Sequence, residues 1–418
     1  MESIGCIIMI FALEIDTLIE KLWSPDGSIQ SVRINILLFV VGLFILFLGL
    51  YIFLNPKKVI QFLAYLNPLW LYKNKKKELL LLLIISLFCF AILETTARIV
   101  IPKKEITKYG WTTPANTTYT MEFDDASNVT RNITVTYSDF GFKRWGNHST
   151  NKTKVFIIGD SFTAMHFVSN GEEWYAYLEK EFPDAEFFVY GGSGYGSLQE
   201  YMILDDFIDV INPDIILWQF SANDFINNLY SYEKKNFVYA NRGFRPYLEE
   251  NRIVYRIPLA FETARKYSSF LNFLLEKYDS FVFALEMTEI QHDPQKITKY
   301  PEEQEKAFNI TLHIMQMASK RTDDIPLYLF GVSPTTQNEA SLFPDVAEQE
   351  LLLCQNANIT CIPGVAEYVN EKEEQGIVVK VADSHWNVAG NTFAAEFLIT
   401  YFKDHHILQS LNLSDNTT

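Results

Sequence analysis

The chain has 418 residues, 48% of them hydrophobic, with a formal net charge of −16 and a mean hydropathy of +0.01. That length exceeds one ordinary domain, and the hydropathy exceeds what a soluble core alone requires. The acidic balance, with no basic stripe interleaved with aromatics, argues against nucleic acid as a partner and suits a soluble domain outside the cell.

The first 101 residues are expected to form a membrane anchor of two helices, over about 34–54 and 79–101. The run 36–54 is uninterrupted and apolar, enough to cross a hydrocarbon layer about 30 Å thick. The second stretch is uncharged over 79–93, and its Glu94 and Arg98 stand one helical turn apart, placed to pair near the interface. Lys57, Lys58, Lys73, Lys75, Lys76 and Lys77 crowd the short connection, and such lysines stay on the cytoplasmic side. The acidic N-terminal segment and everything after residue 101 then face out. The segment 6–13 is short and lacks a basic flank, so it makes a poor signal peptide.

Glycosylation sequons agree with an exterior location. Asn116, Asn128, Asn132, Asn147, Asn151, Asn309, Asn358, Asn412 and Asn416 each head an Asn-x-Ser/Thr triplet, and none precedes residue 102. Four cysteines are too few for a disulfide scaffold or a zinc cluster. Cys354 and Cys361 are either bridged in an oxidising exterior or two buried thiols.

Residues 102–152 are expected to hold a linker and a small β element, with alternating strands at 118–123 and 132–137 lying against the main domain. From 153 to 404 short apolar strands recur at 154–158, 186–190, 214–220, 327–332 and 378–381. Helices are expected between them at 171–182, 197–211, 302–320, 340–354 and 388–403. Such alternation indicates an α/β domain with a parallel sheet covered on both faces. An aromatic-rich insertion over 225–300 interrupts it, as a lid, an interfacial element or a small packed subdomain. Residues 405–418 form a polar tail.

Ligands of open α/β sheets bind beyond the carboxyl ends of the strands. Four segments fall there, and they supply the chemistry of acyl transfer. Ser161, in Gly159-Asp160-Ser161-Phe162-Thr163 after the first strand, is the candidate nucleophile. His385 is its general base, because a serine hydroxyl reacts at neutral pH only when a base takes its proton. Asp383 orients His385, or alternatively is a turn or N-cap residue before the last helix. The oxyanion of the tetrahedral intermediate calls for the Ser161 N–H, Gly194 in Gly191-Gly192-Ser193-Gly194-Tyr195-Gly196, and the Asn223 amide. The glycine-rich segment lacks the partner acid of a dinucleotide site, so no cofactor or metal is expected.

These blocks resemble the SGNH (GDSL-like) hydrolases, whose four name-giving residues match Ser161, Gly194, Asn223 and His385. The resemblance spans about 138–404, including Asp139-Phe140-Gly141-Phe142. It implies a flavodoxin-like three-layer α/β/α fold and metal-free serine esterase or acyltransferase chemistry. Two departures stand out. The acid commonly lies three residues before the histidine, whereas Asp383 lies two before His385, and the Asp-x-His-Trp form is similar to the branch of membrane-associated alginate O-acetyltransferases. The third block commonly begins with Gly but here reads Ser221-Ala222-Asn223-Asp224.

The resulting expectation is a membrane-anchored serine esterase cleaving an O-acyl, chiefly O-acetyl, ester on a glycan outside the cell. The same residues also suit an O-acetyltransferase for surface polysaccharide, which would need a membrane partner as acyl donor. A lipid esterase and a non-catalytic glycan-binding module are the remaining alternatives.

Overall fold

The computed structural model describes residues 76–101, 107–124, 130–236, 243–292, 300–333, 346–381 and 384–408. The first expected span, Lys57, Lys58, Lys73 and Lys75, the acid Asp383, and the sequons at Asn128, Asn412 and Asn416 lie outside these residues. The chain divides into two units. One comprises Met1–Lys104 with Phe261–Leu285, and the other Glu105–Ala260 with Glu286–Thr418.

In the first unit, α1 (Lys76–Val100) occupies the expected second span. Among the described residues no helix is long and apolar enough to cross a membrane. On α1 the side chains of Leu80, Ile84, Ile85, Leu87 and Phe88 are all exposed. Glu94 pairs with Arg98 at 2.6 Å, as their spacing predicts. Glu94 also accepts from Ser268 Oγ and from the Ser269 and Phe270 N–H groups at 2.6, 3.1 and 3.1 Å. A carboxylate thereby satisfies donors that the first turn of the insertion's long helix leaves open.

The second unit begins with a hairpin of β1 (Thr117–Asp124) and β2 (Thr130–Tyr137), paired antiparallel with Tyr119 opposite Val135. Every second residue of β2, Ile133, Val135 and Tyr137, is buried, as the period of a half-covered strand requires. Then come β3 (Thr153–Gly159), α2 (Ser161–Ala164), α3 (Trp174–Glu181), β4 (Ala185–Gly191), α4 (Ser197–Ile211), β5 (Ile215–Phe220), α5 (Asn223–Asn228) and α6 (Tyr230–Lys235). The insertion adds a second hairpin, β6 (Arg245–Glu249) with β7 (Arg252–Arg256), then α7 (Glu262–Tyr267) and α8 (Ser269–His292). The chain closes with α9 (Pro301–Thr322), β8 (Leu327–Gly331), α10 (Val346–Ala357), β9 (Thr360–Cys361), α11 (Val365–Glu374) and α12 (Val388–Asp404).

Five parallel strands form the central sheet in the order β4-β3-β5-β8-β9. The order reverses beside β3, which places a crevice at the carboxyl ends of β3 and β5. Strand side chains alternate between two cores. Phe156, Ile158, Phe188, Ile216, Trp218 and Leu329 pack with α4, α9 and α10 on one face. Val155, Ile157, Val189, Ile215, Leu217 and Phe330 pack with α3, α11 and α12 on the other. The result is three layers, α/β/α.

One expected strand is absent. Residues 378–381 do not extend the sheet, because their hydrogen bonds turn inward to the histidine loop. Val381 N–H donates to the His385 carbonyl at 2.8 Å, and Lys380 bridges Trp386. The fifth strand is instead β9, two residues long beside β8. Cys354 and Cys361, at the end of α10 and in β9, are disulfide-bonded with their Cα atoms 5.8 Å apart.

Candidate active site

The turn that carries Ser161 is held from three sides. Asp160 caps α2, accepting from the Phe162 N–H at 2.9 Å, while its own N–H donates to Gln219 Oε1 at 3.1 Å. Thr163 Oγ1 donates to the same oxygen at 2.9 Å, which ties the turn to β5. Gly191, at the end of β4, lies so close beneath α2 that a Cβ there would overlap the backbone of Thr163 and Ala164. Ser161, the first residue of α2, is left half-exposed at the crevice.

His385 comes from the other end of the chain, on a loop closed by the Val381 and Ser384 hydrogen bonds, with Ser384 in the left-handed region at φ 75°. Beyond it Asn387 caps α12, accepting from the Gly390 N–H at 3.0 Å. The neighbouring Trp386 is 1% exposed and packs on Phe162, with ring centroids 5.1 Å apart. This fixed loop brings His385 Nε2 to 2.7 Å from Ser161 Oγ across 224 positions of sequence. Ser161 Oγ also lies 3.5 Å from Asp160 Oδ2, but the shorter contact is the stronger one and directs the hydroxyl at the imidazole. The imidazole sits between two rings, Phe162 at 4.8 Å and Phe167 at 4.6 Å. Phe167 is backed by Phe123 of the first hairpin at 5.3 Å.

Electrostatics around the serine follow from burial. Asp160 is fully buried, which pushes its carboxyl above the usual range, opposed by the Phe162 N–H and by the neighbouring His385, Gln219 and Asn223 side chains. The Asn223 side chain thus lies near the residue before Ser161. Burial, with Lys143 and His385 nearby, holds His166 down at about 4, so it stays neutral beside the site. Its Nε2 is 2.8 Å from Tyr137 Oη.

Gly194 takes φ +72°, a left-handed conformation that favours glycine, and is buried in the loop after β4. The structure thus brings Ser161 and His385 into contact and leaves Asn223 near Asp160; Asp383 lies outside the described residues. Phe162 and Phe167, flanking His385, were not singled out from the sequence. Aromatics near a serine carry no signal of their own without the fold. A cleft of about 400 Å³ lined by Glu373, Gly376, Ile377, Val378, Lys380, Val381 and Ser384 borders the histidine loop.

No family model and no curated protein matches the chain. Solved structures do. A lipolytic protein of the G-D-S-L family from Veillonella parvula is 12% identical over 60% of this chain and 98% of its own, with a TM-score of 0.37. The esterase EstA from Pseudoalteromonas sp. is 10% identical over 61% and 98%, with a TM-score of 0.35. A catalytic mutant of an acetylxylan esterase from Geobacillus stearothermophilus is 10% identical over 59% and 93%, at 0.34. Similarities of this size carry no activity to the chain, and the side chains of the crevice bear the functional reading.

Proposed function

We propose that the protein is a serine esterase of the SGNH type, anchored in a membrane and cleaving O-acyl esters, chiefly O-acetyl groups of glycans, outside the cell. The observation that carries this reading is the 2.7 Å contact between His385 Nε2 and Ser161 Oγ. His385 takes the Ser161 proton as Oγ attacks the ester carbonyl, then returns it to the departing alcohol, leaving an acyl-serine. Water deprotonated by the same imidazole then releases the acid. Asp383 holds the imidazole tautomer, and the Ser161 and Gly194 N–H groups with the Asn223 amide receive the oxyanion. No metal or cofactor enters the scheme.

Three features support the outside location. The Cys354–Cys361 bridge suits an oxidising compartment. The sequon residues Asn116, Asn132, Asn147, Asn151, Asn309 and Asn358 are all exposed. The uncovered apolar side chains of α1 suit contact with lipid.

Ser161→Ala should abolish labelling by a fluorophosphonate probe and hydrolysis of a chromogenic acetyl ester. Undiminished labelling would remove Ser161 from the mechanism. A glycan acceptor added to the same assay distinguishes transfer, which would yield acetylated acceptor in place of free acetate.

A further inference from the structure

The loop that carries Gly194 is gripped by side chains at three consecutive carbonyls. Trp111 Nε1 donates to the Ser193 carbonyl at 3.0 Å, Arg245 donates through a terminal guanidinium nitrogen to the Gly194 carbonyl at 2.9 Å, and Asn227 Nδ2 donates to the Tyr195 carbonyl at 3.3 Å. A peptide unit is planar and trans, so fixing the Ser193 oxygen fixes the opposed direction of the Gly194 N–H in the same plane. Fixing the Gly194 oxygen sets the next plane, whose N–H, that of Tyr195, returns to the Gly192 carbonyl at 2.9 Å. The two planes on either side of the Gly194 Cα are therefore both clamped, at a residue whose φ of +72° would otherwise be among the freer in the chain.

Neither clamp belongs to the sheet. Trp111 lies in the segment that precedes the first hairpin, and Arg245 opens β6 of the insertion. The two hold each other. The guanidinium sits 4.9 Å over the Trp111 ring, the Tyr195 ring meets Trp111 edge-on at 5.7 Å, and Tyr195 Oη donates to the Trp111 carbonyl. Arg245 is 0% exposed and lies 3.2 Å from Glu233, which in turn accepts from Tyr247 Oη at 2.7 Å. A buried ion pair is seldom a source of net stability, because desolvation offsets most of the attraction. It is, however, a rigid way to aim a donor, and here the donor meets the residue matched to the oxyanion hole.

We infer that Trp111 and Arg245 are positioning residues that orient the Gly194 N–H toward the oxyanion. The inference rests on the esterase reading of Ser161 and Gly194. It assigns to the stretches 107–113 and 243–256 a part in transition-state stabilisation at a distance from the reacting atoms. Neither residue touches substrate in this scheme. The signature is therefore a loss in kcat with little change in KM, because a misaimed oxyanion donor weakens the transition state more than the ground state.

The test uses the full chain and a chromogenic acetyl ester. Trp111→Phe keeps an aromatic ring beside Arg245 and Tyr195 and removes the indole N–H along with the second ring. The expected result is a fall in kcat of about tenfold, with KM within about twofold, since a misaimed donor retains part of what a deleted one forfeits. The second-order rate of fluorophosphonate labelling should fall in parallel, because phosphonylation also builds negative charge on an oxygen in that hole. The paired change Arg245→Met with Glu233→Gln, which leaves no buried charge unpaired, should reproduce the kcat loss. It provides the answer should Trp111→Phe fail to fold. Unchanged kcat in a folded variant, or a loss matched by the fraction of protein unfolded, overturns the inference. Activity that survives Ser161→Ala would instead overturn the esterase reading beneath it.

Discussion

Gly191→Ala should disable the site while leaving every proposed catalytic side chain chemically unaltered. Gly191 has no left-handed φ, so alanine meets no backbone strain there and the effect is one of packing. The added Cβ would overlap the backbone nitrogen of Ala164 and the carbonyl carbon of Thr163, and a main chain cannot rotate away as a side chain does. To reach an ordinary contact α2 must retreat by on the order of 1 Å, carrying Ser161 with it, and such a displacement costs about a hundredfold in rate. The 2.7 Å contact with His385 would then open beyond hydrogen-bonding reach. Overpacking of this kind destabilises by about 1–3 kcal/mol, so the fold should survive with a modestly lower Tm. The assay is kcat on a chromogenic acetyl ester, normalised to folded protein by a melting curve of the same sample. Wild-type kcat with an unchanged Tm would mean that α2 does not rest on β4, and the account of how the serine is held would fail.

Asn223→Ala should lower kcat by about a hundredfold or more with KM little changed, which is what loss of one oxyanion donor does; an equal rise in KM would assign Asn223 to ground-state binding instead. Burial, with Glu367 nearby, raises the Glu350 carboxyl to about 8 from its ordinary 4.5. Folding therefore takes up a proton between those values, so the associated stability is full below pH 4.5 and lost as pH rises to about 8. Glu350→Gln should leave Tm alone at pH 4.5 and raise it at pH 8, and equal effects at both would refute the assignment. Replacing Cys354 and Cys361 by serine opens a loop closed across a separation of 7 residues, and chain entropy puts the loss at about 2.5 kcal/mol. A denaturant midpoint unaffected by the double change would contradict it.

Strand and helix periodicity carried most of the sheet and its covering helices, because continuous apolar strands such as 155–158 and 215–218 are distinctive in any sequence. The segment 378–381 misled because Val379 and Val381 are buried like strand residues while their hydrogen bonds serve the histidine loop. Thr360–Cys361 is too short for any period to announce it. Ser161 and His385 stood out because each sits in a short distinctive block, and the structure adds that they touch. The supports were illegible for a plainer reason. Trp111 and Arg245 act through the backbone of a loop more than fifty positions away, and nothing in a run of residues marks which carbonyl a side chain will meet. Glu94 likewise gave away its partner Arg98 by spacing, but not the helix N-terminus it also caps.

The separation of base from nucleophile bears on how such a protein is made. A chain emerging from the ribosome presents Ser161 long before residue 385 exists, so the hydroxyl passes through that stage without the His385 imidazole. The proposed ester chemistry would begin only when the turn ahead of α12 settles beside Phe162 and the helix docks over the sheet. On the proposed mechanism, stalled or clipped products lacking that segment would be inert toward esters.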